Sequence, residues 1–203
     1  MIFATANKGK LREAGEILGG EFEVVSPSSL GLDAEVEENG ETLEANSLIK
    51  ARHLYLLSGQ NCFADDTGLE VEALGGAPGV YSARYAGEGH DDKANMAKLL
   101  AELSRLGPGV SRRARFRTVV TLILDGREHV FEGEMCGSIA LAPAGTNGFG
   151  YDPVFIPDAY PDKTLAQLSD EQKNAMSHRG KAIRAMAEFL NEAAAICPPS
   201  AGD

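Results

Sequence analysis

Two alternating runs, Arg115–Leu124 and His129–Met135, meet at Asp125-Gly126, and no other stretch constrains the fold as much. The period is that of strands, and an Asp-Gly pair suits the tight turn of an antiparallel hairpin. Shorter apolar segments extend the strand inventory: Ile2–Ala4, Phe22–Val25, Cys62-Phe63, Leu69–Leu74, Ile139-Ala140-Leu141 and Val154-Phe155-Ile156. Helical spacing marks Lys8–Leu18, with Leu11, Ala14, Ile17 and Leu18 on one side and Gly19-Gly20 as a stop. It recurs from about Thr42 to Leu57, over Ala94–Leu106, and in a final helix that buries Ile183, Met186 and Leu190. Ser169 and Gln172 form a capping box that starts a short helix. Strands and helices interleave without repeats or linkers, and 203 residues suit one domain.

Among these elements, Ala64-Asp65-Asp66-Thr67-Gly68-Leu69 carries the strongest chemical suggestion. Adjacent side chains on a strand point to opposite faces, so the two carboxylates would diverge. A turn beginning at Asp66-Thr67-Gly68 is expected to bend the second back toward the first. Paired carboxylates at a strand end suit a hard cation or the activation of water. On these six residues alone, an Asp-Thr-Gly turn with a solvated neighbour fits equally well.

The net charge of −11 argues against nucleic acid as a partner, because such binding needs a basic footprint. An anionic ligand would need a few placed cations and a metal against this field. Lysines and arginines near the aspartates are therefore informative. Thr5, Asn7 and Lys10 cluster where a helix begins, and free backbone N–H groups there favour anions, although plain capping explains them too. The segment is no P-loop: GxxxxGK[ST] needs glycine at Ala4 and Ser or Thr at Leu11. Asn46 and Lys50 lie one helical turn apart, downstream of an acidic loop holding Asp33, Glu35, Glu37, Glu38 and Glu41. In Gly148-Phe149-Gly150-Tyr151-Asp152-Pro153, glycines on both sides of Phe149 let backbone approach a ligand while one ring is held out. Three widely spaced cysteines without CxxC fit a reducing compartment, and no run approaches ~20 apolar residues. These features read as a soluble cytoplasmic protein with no membrane partner.

Taken in order, the clusters closely resemble the nonstandard purine nucleoside triphosphate pyrophosphatases, also called inosine triphosphatases or dITP/XTP pyrophosphatases. The resemblance runs from Thr5 to about Leu190. It is carried by Thr5-x-Asn7-x-x-Lys10, Glu37-Glu38-Asn39-Gly40, Asn46-x-x-x-Lys50-Ala51, Ala64–Leu69, Gly76-Ala77-Pro78-Gly79-x-Tyr81-Ser82-Ala83-Arg84-Tyr85, Gly148–Pro153 and Ser177-His178-Arg179. One departure stands out. The family often has Glu-Asn-Ala before the helical lysine, whereas this chain has Ala45-Asn46-Ser47, and Glu44 would face another side of the helix.

The resemblance implies an α/β fold with a long mixed sheet flanked by helices, in a single two-lobed domain over residues 1–203 with a central active-site cleft. Residues 198–203 are expected to be a loose tail. It also implies a homodimer, Mg²⁺, and cleavage of ITP, dITP, XTP or dXTP between the α- and β-phosphates. A related pyrophosphatase for modified pyrimidine or methylated nucleotides is the alternative. Glu37 and Asp66 are the expected metal ligands, with Glu38 and Asp65 beside them. Asp66 or Asp65 serves as base, and Lys50 stabilises developing charge. Thr5, Asn7, Lys8, Gly9, Lys10 and Thr67 would grip the phosphates. Phe149 would stack on the base, with Gly150, Tyr151, Asp152, Lys173, His178 and Arg179 around it. Arg84 and Tyr85 fit the dimer interface or cleft as readily as plain packing.

Overall fold

The computed structural model describes residues 1–19 and 22–196. The hairpin at its centre pairs β4 (Arg113–Leu124) with β5 (Arg127–Ile139) in unbroken antiparallel register from Arg113↔Ser138 to Leu124↔Arg127. Asp125 (φ 50°) and Gly126 (φ 78°) both turn left-handed, as a two-residue hairpin requires. On the other side of β4 lies β2 (Cys62–Val71), paired antiparallel along its whole length. β1 (Ile2–Phe3) adds to β2 in parallel, and the short β3 (Pro78–Gly79) meets β2 at Leu69 and Glu70. β6 (Phe155–Pro157) closes the far edge against β5. The result is a mixed sheet in the order β1-β2-β4-β5-β6.

Helices cover both faces, and strand alternation decides which residues meet them. On one face, Phe3 and Phe63 stack at 4.3 Å beneath α1 (Lys8–Leu18) and α5 (His178–Ile196), joined by Ala14, Leu18, Ile183 and Met186. On the opposite face, Cys62, Ala64 and Ile123 meet Ala51 and Leu54 of α2 (Leu43–Ser58). α3 (Asp92–Arg105) inserts Leu99 and Leu103 into a third cluster with Leu69, Phe116, Tyr151 and Phe155. Each fully buried Phe or Leu here contributes about 1.5–3 kcal/mol relative to exposure.

Several expectations fail for identifiable reasons. The turn at Asp66-Thr67-Gly68 does not form, because β4 offers a continuous partner through Val71. Gly68 serves close approach instead: a Cβ there would lie 2.4 Å from the Gly79 carbonyl oxygen. The strand expected over Leu69–Leu74 ends at Val71, where Glu72–Leu74 winds into a 3₁₀ turn closed by Gly75 at φ 63°. Phe22–Val25 contributes only an isolated bridge, Val25 to Ile2. α3 starts two residues early, because the Asp91 side chain accepts hydrogen bonds from the Lys93 and Ala94 N–H groups. The capping box at Ser169 and Gln172 is present and opens α4 (Asp170–Ala175). The expected loose tail at 198–203 lies outside the described residues, as does Gly20.

Candidate active site

An unbroken β2 sends Asp65 and Asp66 to opposite faces, one beside α1 and α5 and the other beside α2. They are therefore not a bent-back pair but the ends of two separate networks.

On the first face, Lys10 Nζ donates to both Asp65 oxygens at 2.8 and 2.9 Å, and Arg179 Nε donates to Oδ2 at 3.0 Å. Arg179 Nη1 reaches Glu13 Oε2 at 3.1 Å, and Ser177 donates to Glu13 Oε1. Burial alone would raise the Asp65 carboxyl, but Lys10, Arg179 and Lys50 hold it well below the carboxylate range. Asp65 is thus a fixed anion whose oxygens are occupied. Lys10 is pushed down by burial, against the attraction of Asp65. Arg179 is held up by Asp65 and Glu13 against its burial.

The second face is arranged differently. Lys50 Nζ lies 2.9 Å from Glu38 Oε2 and 3.5 Å from Asp66 Oδ1. Asp66 Oδ1 also accepts from the Thr67 N–H, whereas its Oδ2 is buried and finds no hydrogen-bond partner among the described residues. Burial raises the Asp66 carboxyl, Lys50 opposes the rise, and Glu38 and Asp65 push it further up. Lys50 is buried yet raised, held charged by Asp66, Asp65 and Glu38. Asn46 is buried nearby, and its Oδ1 accepts from the Gly40 N–H, pinning the acidic loop to α2.

Along that loop, alternation places Glu37 outward and exposed, while Glu38 turns to Lys50. The structure therefore brings Glu38, not Glu37, to Asp66. Arg84 Nη2 approaches the Glu38 carbonyl at 3.4 Å, which puts Arg84 at this network's edge. Tyr85 hydrogen bonds Glu102 and lies under Lys98. Glu44 pairs with Arg117 on the sheet, away from Lys50, so it does not substitute for the carboxylate absent at Ala45.

A divalent cation fits the second network. Mg²⁺ takes one or two protein carboxylates and completes its shell with water and phosphate oxygens. Glu38 and Asp66 supply such a pair of carboxylates. Among the described residues no cluster of three or more His, Cys, Asp or Glu side chains forms a dedicated metal cage.

The remaining expected residues separate by role. Asn7 caps α1, its Oδ1 accepting from the Gly9 and Lys10 N–H groups at 2.8 and 3.1 Å, while Thr5 Oγ1 accepts from the Asn7 N–H. Lys8 and Gly9 are exposed at the helix start. Thr67 shares its hydroxyl with Thr118 at 2.8 Å, a bond across the sheet. Phe149 is 72% exposed, the ring standing off the protein. Asp152 and Lys173 pair at 3.3 Å beside Gly148, where a Cβ would collide with both. Tyr151 is buried and donates its hydroxyl to the Ser82 carbonyl, so its ring anchors the loop. His178 stacks on Phe116 at 5.1 Å; burial and Arg179 push its imidazole down to about 3, so it is neutral near pH 7. Sequence reasoning missed Glu13, three residues beyond Lys10 on the same helix, although that spacing is the signal for a shared face.

A family model described as the Ham1 family matches residues 1–189. A dITP/XTP pyrophosphatase from Porphyromonas gingivalis is 47% identical over 190 residues, 94% of this chain and 96% of that protein. One from Flavobacterium psychrophilum is 44% identical, spanning 94% and 98%. Among solved structures, a HAM1 protein from Coxiella burnetii superposes with a TM-score of 0.88 at 36% identity, covering 94% of this chain and 98% of that one. The Ham1 protein of Staphylococcus aureus gives 0.84 at 43% identity, covering 95% and 98%.

Proposed function

Because the chain belongs to the Ham1 family, we propose that it hydrolyses nonstandard purine nucleoside triphosphates, ITP, dITP, XTP and dXTP, to the monophosphate and pyrophosphate. The single observation that carries the chemistry is the division of labour between adjacent aspartates. One is pinned by two cations that hold it in its charged form; the other is pushed toward its protonated form by burial and keeps a buried oxygen with no partner among the described residues.

Asp66 is the base: its Oδ2 takes a proton from the attacking water. Lys50, held charged beside it, stabilises the negative charge that develops on the oxygens of the reacting phosphoryl group. Asp65 does not take the proton. It fixes Lys10 and Arg179, which with Thr5, Asn7, Lys8 and Gly9 receive the polyphosphate at the start of α1. Glu38 and Asp66 Oδ1 would hold Mg²⁺, leaving Oδ2 for the proton, and the ion would neutralise phosphate oxygens. Phe149 stacks on the purine, with Gly150, Asp152, Lys173 and His178 around it. A donor aimed at the six-position oxygen accepts a keto purine and rejects an adenine amino group. Guanine shares that oxygen, so its exclusion needs a further contact.

In this reading the single domain is two lobes around the cleft, works as a cytoplasmic homodimer, and clears deaminated purines from the nucleotide pool. No described helix is long and apolar enough to cross a membrane. Pyrophosphate release from ITP, XTP, GTP, dUTP and dTTP tests the assignment. Preference for ITP and XTP is the expected result; preference for dUTP or dTTP overturns it.

A further inference from the structure

We infer that Asp92, at the start of α3, is a positioning residue for base recognition: it clamps the loop that presents Phe149. The inference rests on the proposed role of Phe149. That ring is 72% exposed and forms none of the ring–ring pairs among the described residues, so its place depends on its backbone. The backbone is intrinsically pliant, since Gly148 and Gly150 flank Phe149 with φ of 95° and 59°.

Anchors exist on both sides. Asn147 N–H donates to the Ala166 carbonyl and its Nδ2 to the Leu168 carbonyl. Beyond the tip, the Tyr151 hydroxyl holds Ser82. Between them, Gly150 N–H donates to Asp92 Oδ2 at 2.8 Å, tying the tip to another element. The partner is well placed to be rigid. Asp91 caps α3, and one turn later Asn95 accepts from the Ala86 N–H and donates to the Ala83 carbonyl. One helix end therefore grips both the Phe149 loop and the segment after the glycine-rich loop.

Asp92 has two other effects that a test must separate from clamping. As a first-turn acid it favours the helix dipole, and its charge adds to the rise that burial imposes on the Asp152 carboxyl. Asp92→Asn keeps an acceptor oxygen and removes the charge; Asp92→Ala removes both. Inorganic tripolyphosphate supplies the phosphate chain without a base. The expected result is that Asp92→Ala raises KM for ITP roughly 10- to 150-fold, more than it lowers kcat, the scale of a lost charge-assisted hydrogen bond. Tripolyphosphate should inhibit that variant as well as it inhibits wild type, and Asp92→Asn should return KM toward the wild-type value. An unchanged KM, a parallel loss of tripolyphosphate inhibition, or an Asn variant as impaired as Ala overturns the clamp. If wild-type protein neither binds nor turns over ITP, the substrate reading falls and the clamp with it; wild-type turnover with an indifferent Asp92→Ala variant sinks the clamp alone.

Discussion

Asp65→Asn is the substitution whose cost is most directly fixed by the geometry. The Asp65 side chain is 2% exposed and takes Lys10 and Arg179 on its two oxygens. Asparagine preserves the shape but leaves two cations facing each other without their anion. Breaking a buried pair this way typically costs about 3–5 kcal/mol. Lys10 and Arg179 retain 23% and 14% side-chain exposure, and Glu13 still holds Arg179, so the low end, about 3 kcal/mol, applies. For a domain of this size each kcal/mol moves Tm by about 2–4 °C, giving a fall of roughly 6–12 °C at pH 7.

The pH dependence follows from the sign of the shift. The Asp65 carboxyl is held below its unfolded value, so its contribution is complete above the unfolded pKa of about 4. It is lost as pH falls from there through the folded value, and the wild-type advantage over Asp65→Asn should shrink over that range. Thermal and urea denaturation of both proteins between pH 3 and pH 8 provides the assay. A variant within about 2 °C of wild type at pH 7, where about 6–12 °C is expected, would refute the reasoning.

Three further outcomes follow from the same contacts. Asp66→Asn should lower kcat by at least ~100-fold, the scale of a lost general base or metal ligand, with Tm unchanged or raised because a carboxylate with an unpartnered oxygen is relieved. Near-wild-type kinetics would remove Asp66 from the mechanism. Phe149→Ala should raise KM for ITP roughly 10-fold, within the range of base–aromatic stacking, and leave Tm alone, since the ring is 72% exposed; lower Tm with unchanged KM would make it an anchor. Gly68→Ala should destabilise by about 1–3 kcal/mol in urea unfolding, because its methyl meets Gly79 backbone.

What was legible in the sequence depended on short-range rules. The Asp125-Gly126 hairpin, the bounds of α1 and the Ser169 box all follow from residues within a few positions of each other. Asp66-Thr67-Gly68 was misread for the complementary reason. Its local turn preference is weak against ten residues of pairing with β4, a partner some fifty positions away. The same long-range pairing decides the site, because it sends Asp65 to α1 and α5 and Asp66 to α2. Sequence order gathered Lys10, Lys50, Asp65, Asp66 and Arg179 without saying which cation meets which anion. Glu38 rather than the expected Glu37 faces the Asp66 network, beside Lys50, through one step of alternation in a loop with no regular element to set its phase. Tyr151 looked like part of a ligand loop, yet its ring belongs to the core.

The central claim is hydrolysis between the α- and β-phosphates with Asp66 as base. ³¹P NMR of the products of ITP hydrolysis tests it most directly. Inosine monophosphate and pyrophosphate in equal amounts, formed by wild type and suppressed in Asp66→Asn, is the predicted result. Inosine diphosphate with orthophosphate would contradict it.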